Sequence, residues 1–129
     1  MKLTSAIKVL IIGYVICLVS SCEQGYSYNY ILSNYTDTIV SVNFKTFSGD
    51  TIIEVQPKET KQIYSTFHGM EGMGGPFLGD VRLDFDTIII KKGKRKSIKD
   101  YRKNTEWKFT KKDKFNAEYR AVVADSEFN

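Results

Sequence analysis

The chain has 129 residues, of which 42% are hydrophobic and 26% charged, a length that fits one domain and leaves little room for a second. Its 19 basic and 15 acidic residues give a net charge of +4, and because Lys2 and Lys8 stand in the first 21 residues the remainder carries 17 against 15, too even a balance to argue for nucleic acid as a partner. Both cysteines, Cys17 and Cys22, lie at the very start, which excludes a disulfide framework.

The first elements in chain order are a charged region with Lys2 and Lys8, an apolar run from Val9 to Val19, and the small-residue exit Ser20-Ser21-Cys22. That is the layout of a signal peptide over residues 1–21. A helix needs about 20 apolar residues to span a bilayer, and this run turns polar at Ser20. The segment Val19-Ser20-Ser21-Cys22 resembles the lipobox of bacterial lipoproteins, in which small residues precede a cysteine that receives a diacylglyceryl group. The resemblance implies cleavage before Cys22, lipidation of Cys22, and a tether over residues 22–25. Each buried methylene contributes about 0.8 kcal/mol, so two or three acyl chains such as palmitate anchor a protein firmly. An ordinary secretory signal with an incidental cysteine is the competing reading.

From Tyr26 onward the apolar period is two. Tyr26, Tyr28, Tyr30 and Leu32 alternate with Ser27, Asn29 and Ile31; Val40, Val42 and Phe44 repeat the pattern; Phe115, Ala117, Tyr119, Ala121 and Val123 close it. Such alternation marks strands with one face buried. Further strands are expected at Ile52 to Val55, Gln62 to Phe67, Val81 to Phe85, Thr87 to Lys91, Ser97 to Tyr101 and Glu106 to Phe109. Turn chemistry separates them at Thr36-Asp37, Ser48-Gly49-Asp50, Pro57-Lys58, Gly69 to Pro76 and Lys92-Gly93. Thr110-Lys111-Lys112-Asp113 reads as an N-cap followed by an acid, which predicts one helical turn near 110–114. The fold class that follows is all-β: one antiparallel β-sandwich over 26–129, with an immunoglobulin-like arrangement as the leading form. Trp107 is expected in its core.

Four constellations bear on chemistry. His68, the one histidine, stands in the glycine-rich loop His68 to Pro76; no Lys-Ser/Thr follows the glycines, so the loop is not a phosphate cradle, and nothing else in the sequence calls for a cofactor. Asp80, Arg82, Asp84 and Asp86 fall at period two, which on a strand turns them all outward and Val81, Leu83 and Phe85 inward. Three carboxylates on one face are oxygen ligands that calcium could use, but Arg82 stands among them and the same-face spacing is nearly 7 Å, so a solvated face and no metal is expected. Lys91, Lys92, Lys94, Arg95 and Lys96 surround Gly93, which suits a tight hairpin turn. The cluster is a candidate contact for an anionic surface, either lipid headgroups or acidic polysaccharide. A hairpin edge kept soluble by lysines is the simpler explanation. Asp-Thr-Ile occurs three times, at Asp37, Asp50 and Asp86, each at the start of a strand, as turn-to-strand chemistry would produce.

The Ser-Ser-Cys exit, the strand Tyr30-Ile31-Leu32-Ser33-Asn34, the stretch Asp84-Phe85-Asp86-Thr87-Ile88, and Trp107-Lys108-Phe109-Thr110 running into Phe115-Asn116-Ala117 together make the chain similar to the small envelope lipoproteins of Bacteroidetes. The resemblance covers most of the mature chain and implies an envelope β-sandwich, lipid-anchored at the outer membrane of a Gram-negative cell, with no defined activity. It also gives the Asp-Thr-Ile triplets a second meaning, as the Asp-Ser/Thr-aliphatic signal for O-glycosylation, with Thr38, Thr51 and Thr87 as acceptors. Asn34-Tyr35-Thr36 has the form of an N-glycosylation sequon, which the bacterial leader makes irrelevant.

No set of titratable side chains converges in the sequence, so the expected function is non-catalytic: an anchored module binding a protein or glycan partner. Two alternatives stay open. One is a structural component of a surface appendage, completed by strand exchange. The other is a hydrolase using His68, whose mark would be a pocket uniting that histidine with Asp or Glu from a distant segment.

Overall fold

The computed structural model describes residues 25–69, 76 and 78–129. The expected signal peptide, Cys22 and most of the tether, and the body of the glycine-rich loop lie outside the described residues. Eight strands follow one another: β1 Gly25–Asn34, β2 Val40–Thr46, β3 Gly49–Val55, β4 Thr60–Gly69, β5 Thr87–Lys92, β6 Arg95–Lys96, β7 Lys108–Lys111 and β8 Asn116–Val123. They form two four-stranded sheets, ordered β4-β1-β8-β7 and β3-β2-β5-β6, which pack face to face as the alternating pattern predicts. In the immunoglobulin order the first strand sits at a sheet edge. Here β1 is interior, antiparallel to β4 on one side and parallel to β8 on the other.

The inward row of β1 explains the core. Tyr26, Tyr28, Tyr30 and Leu32 are buried on one face, against Val40, Val42, Phe44, Ile88 and Ile90 of the other sheet. Tyr30 sits at the centre. Its ring stacks on Tyr119 at 4.8 Å and meets Phe85 edge-on at 4.7 Å and Trp107 at 5.2 Å, geometries that aromatic quadrupoles favour. Trp107 is in the core as expected, its indole N–H donating to the Tyr101 carbonyl.

Three local expectations are corrected. Val81 to Phe85 is not a strand: Val81–Leu83 is a single 3-10 turn whose N-cap, Asp80, accepts the Arg82 N–H. Val81 and Phe85 are four apart, so a helical turn buries both and turns Leu83 out, where it is 79% exposed, while Asp84 swings inward. Ser97 to Tyr101 is also not a strand. Ser97 Oγ accepts the Lys99 N–H and Asp100 the Arg102 N–H, local bonds that take the place of a ladder. The helical turn expected near 110–114 is absent, because Thr110 and Lys111 pair with Glu118 and Ala117, and Asp113 accepts the N–H groups of Phe115 and Asn116 to close the β7–β8 hairpin. Besides Val81–Leu83, 3-10 turns stand at Asn104–Glu106 and Asp125–Phe128.

The pairing registers give the sandwich two distinct ends. Gly25 pairs with Gly69, Thr46 with Gly49, and Lys111 with Ala117 at one end. Asn34 pairs with Val123, Val40 with Val55, and Lys92 with Arg95 at the other. The two sheets are keyed together by Asn34 Nδ2 donating to the Val55 carbonyl and by the Phe44 ring lying 5.7 Å from Tyr64, which pairs with Tyr30. Ten residues of β1 at about 3.3 Å each separate the ends by roughly 30 Å.

Candidate functional site

At the end reached by Asn34, the chain leaves β1 through a buried polar knot. Asn34 Oδ1 accepts from the backbone N–H and hydroxyl of Thr36, while Nδ2 donates to the carbonyls of Thr38 and Val55. These bonds hold the β1–β2 loop in one shape and expose Asp37, Thr38 and Ile39 on its outer side. Opposite them stands the β5–β6 hairpin. Gly93 has φ +60°, the left-handed conformation that its place in the turn requires. Between loop and hairpin lies a surface depression of about 820 Å³, lined by Asp37, Thr38, Ile39, Gln56, Pro57, Lys92, Gly93, Lys94 and Arg95.

The basic residues of that hairpin do different work. Lys92 is drawn back by an ion pair with Asp125 at 2.6 Å and rests 5.5 Å over the Phe128 ring. Lys91 is half-buried, whereas Lys94, Arg95 and Lys96 are exposed. Lys99, just beyond, faces Glu127 at 3.4 Å. The depression is therefore lined by the cations Lys94 and Arg95 together with the apolar side chains of Ile39 and Pro57.

The remaining acceptor candidates divide. Thr38, Thr51 and Thr87 are all exposed; Thr38 borders the depression, while Thr51 and Thr87 flank β2 opposite Phe44 and Lys45 near the other end. Cys22 lies outside the described residues.

At the Gly25 end, the structure brings together residues that the sequence reading kept apart. His68 Nε2 lies 2.8 Å from Asp84 Oδ1, and the Tyr30 hydroxyl donates a short hydrogen bond to Asp84 Oδ2. Tyr28 supports the imidazole with an edge contact at 5.2 Å. Burial, then the Asp84 bond, pushes the Tyr30 hydroxyl far above the ordinary phenol range, so it stays a donor. The expected outward row Asp80, Arg82, Asp84, Asp86 is thus broken. Asp80 pairs with Arg82 at 2.8 Å, and that guanidinium holds its carboxyl below the ordinary range; Asp86 is exposed; Asp84 alone turns in. The spacing Val81 to Phe85 was the signal that could have found it, since two apolar residues four apart suit a helical turn as well as a strand. Among the described residues no group of three His, Cys, Asp or Glu side chains could hold a metal ion, and no helix among them is long and apolar enough to cross a membrane.

No protein-family model matches the chain, no curated protein matches it in sequence, and no solved structure matches it.

Proposed function

We propose that this protein is a lipid-anchored module of a bacterial cell envelope, held by acyl chains on Cys22 and binding an acidic glycan or protein partner without catalysis. One observation carries the binding half: the exposed cations Lys94 and Arg95 rim a depression at the end of the sandwich roughly 30 Å from Gly25. Since only residues 23 and 24 separate Cys22 from Gly25, an anchor at Cys22 leaves the basic hairpin as the outward end. Its natural counterpart is then an anion presented from outside, such as a uronic-acid or sulfated polysaccharide, in place of the headgroups of its own bilayer. Exposed Thr38 beside the same depression would bring any O-linked sugar to its rim.

The test uses the full chain made in a Gram-negative host. Wild-type protein should fractionate with membranes and, once extracted in detergent, be retained on a sulfated polysaccharide matrix at low salt and released as salt rises, because exposed charges are screened beyond a Debye length of about 8 Å at physiological ionic strength. Neutralising Lys94, Arg95 and Lys96 together should abolish retention and leave membrane fractionation unchanged, whereas Cys22→Ser should release the protein and keep retention. Retention that survives neutralisation would refute the hairpin as the binding element.

A second reading has one observation behind it. His68 and Asp84 are joined from segments 16 residues apart, the side-chain contact that a hydrolase using His68 would need in addition to a pocket around it. Ester or glycoside hydrolysis abolished by His68→Ala would favour it over a binding module.

A further inference from the structure

The Gly25 end carries three phenyl rings that the core does not use. Phe47, at the tip of the β2–β3 turn, is 97% exposed; Phe67, near the end of β4, is 55% exposed; Phe115, entering β8, is 43% exposed. They come from separate elements, and the register brings them to one end. Ser27 pairs with Phe67 on one side and donates its N–H to the Phe115 carbonyl on the other. Two strand spacings thus set the backbones of Phe67 and Phe115 about 10 Å apart, and Phe47 stands at the same end on the facing sheet, in the turn between Thr46 and Gly49. Gly25 is the chain's entry into this surface: a Cβ there would collide with the Phe67 ring and the His68 carbonyl, so the phenyl lies directly over the first residue of β1. Beside it, the Lys114 ammonium sits 5.4 Å over the Phe115 ring, and Lys45 is exposed next to the β2–β3 turn.

We infer that this end is a membrane-facing surface, with Phe47, Phe67 and Phe115 entering the headgroup region of the bilayer that holds Cys22 and Lys114 and Lys45 reaching its phosphates. The inference rests on the lipid anchor proposed above, and the length of the tether is what selects the occupant. Residues 22–24, fully extended, span only about 10 Å. A domain held so closely cannot lift its Gly25 end clear of the interface. Phenyl rings next to ammonium groups are the composition that interfacial surfaces use, the ring in the acyl boundary and the cation at the phosphate. The surface would fix the domain upright and direct the basic hairpin away from the bilayer.

The experiment places an environment-sensitive fluorophore at single cysteines introduced by Phe47→Cys, Phe115→Cys and, at the opposite end, Lys94→Cys, each in the full chain purified from membranes and reconstituted in vesicles of phosphatidylethanolamine and phosphatidylglycerol. Phe47 and Phe115 are exposed, so these changes leave the core intact. Labels at 47 and 115 should emit to the blue, lose their quenching by aqueous iodide and be quenched by nitroxide-bearing lipid, while the label at 94 should behave oppositely. In a Cys22→Ser background the labels at 47 and 115 should become open to iodide. Equal iodide quenching at all three positions in vesicle-bound protein would overturn the orientation and leave the anchor standing. Shielding that persists with Cys22→Ser would overturn it too, because the chain itself would then be the cover. Protein that fails to float with vesicles, or takes a second label on an unmodified Cys22, would overturn the anchor and the orientation together.

Discussion

Tyr30 does two jobs with one side chain. Its ring is the hub of the aromatic core and its hydroxyl is the donor that keeps the inward Asp84 carboxylate satisfied. Replacing Asp84→Ala leaves a buried phenol without its acceptor and is expected to cost about 1–3 kcal/mol, and Tyr30→Phe, which leaves the largely buried carboxylate with His68, should cost about as much. Urea midpoints of the two single variants and the double variant measure this, and a double variant less harmful than the sum would locate the coupling in that bond. Burial raises the hydroxyls of Tyr30, Tyr101 and Tyr119 above the phenol value. In the unfolded chain these groups ionise near pH 10. A raised folded value means their contribution is complete below that pH and is lost as pH rises through the folded values, so the stability these tyrosines supply should decline in alkali. Phenolate absorbance should therefore count fewer titrating tyrosines in native protein than in urea until unfolding sets in.

At the scale of elements, the strands that the sequence made legible are those whose alternation meets a sheet on one side: β1, β2 and β4 extend the expected segments by a few residues, and β8 begins one residue later than expected. The segments that misled share a physical cause. In 81–85, 97–101 and 110–114, period-two apolar residues or a capping pattern sit beside Asp, Ser or Thr side chains, and whether those oxygens bond locally or yield to a ladder depends on which partner strand arrives. Ser97 illustrates the outcome. Its hydroxyl donates to Glu127, whose carboxylate also takes the Tyr101 hydroxyl, the Ala124 N–H and the Lys99 ammonium, fastening the 97–101 segment to the terminal 3-10 turn. Glu127 is the buried carboxylate that sequence reasoning missed, since nothing near it in the chain marks it as interior. Glu127→Ala strands the Ser97 and Tyr101 hydroxyls and the Ala124 N–H and should cost about 3 kcal/mol or more. Trp107, bonded to Tyr101 and the single tryptophan, should report the loss as a change in native fluorescence before global unfolding.

For the whole molecule, the sandwich was legible from alternation and turns, but its polarity was not. Which loops share an end depends on β1 running parallel to β8 and antiparallel to β4, and on β2 pairing with β3 and β5 in the facing sheet, pairings between segments up to 89 residues apart. That polarity sets the basic hairpin at one end and Gly25, with its phenyl rings, at the other. The candidate cations were visible as residues; their separation from the chain's entry point came only with the fold. The orientation proposed for the two ends depends on what Cys22 carries. The direct measurement is the mass of the N-terminal peptide of the protein extracted from its own membranes. A peptide beginning at Cys22 and heavier by a diacylglyceryl group, with or without an amide-linked acyl chain, is the expected result; a peptide beginning elsewhere, or an unmodified Cys22 thiol, would contradict it.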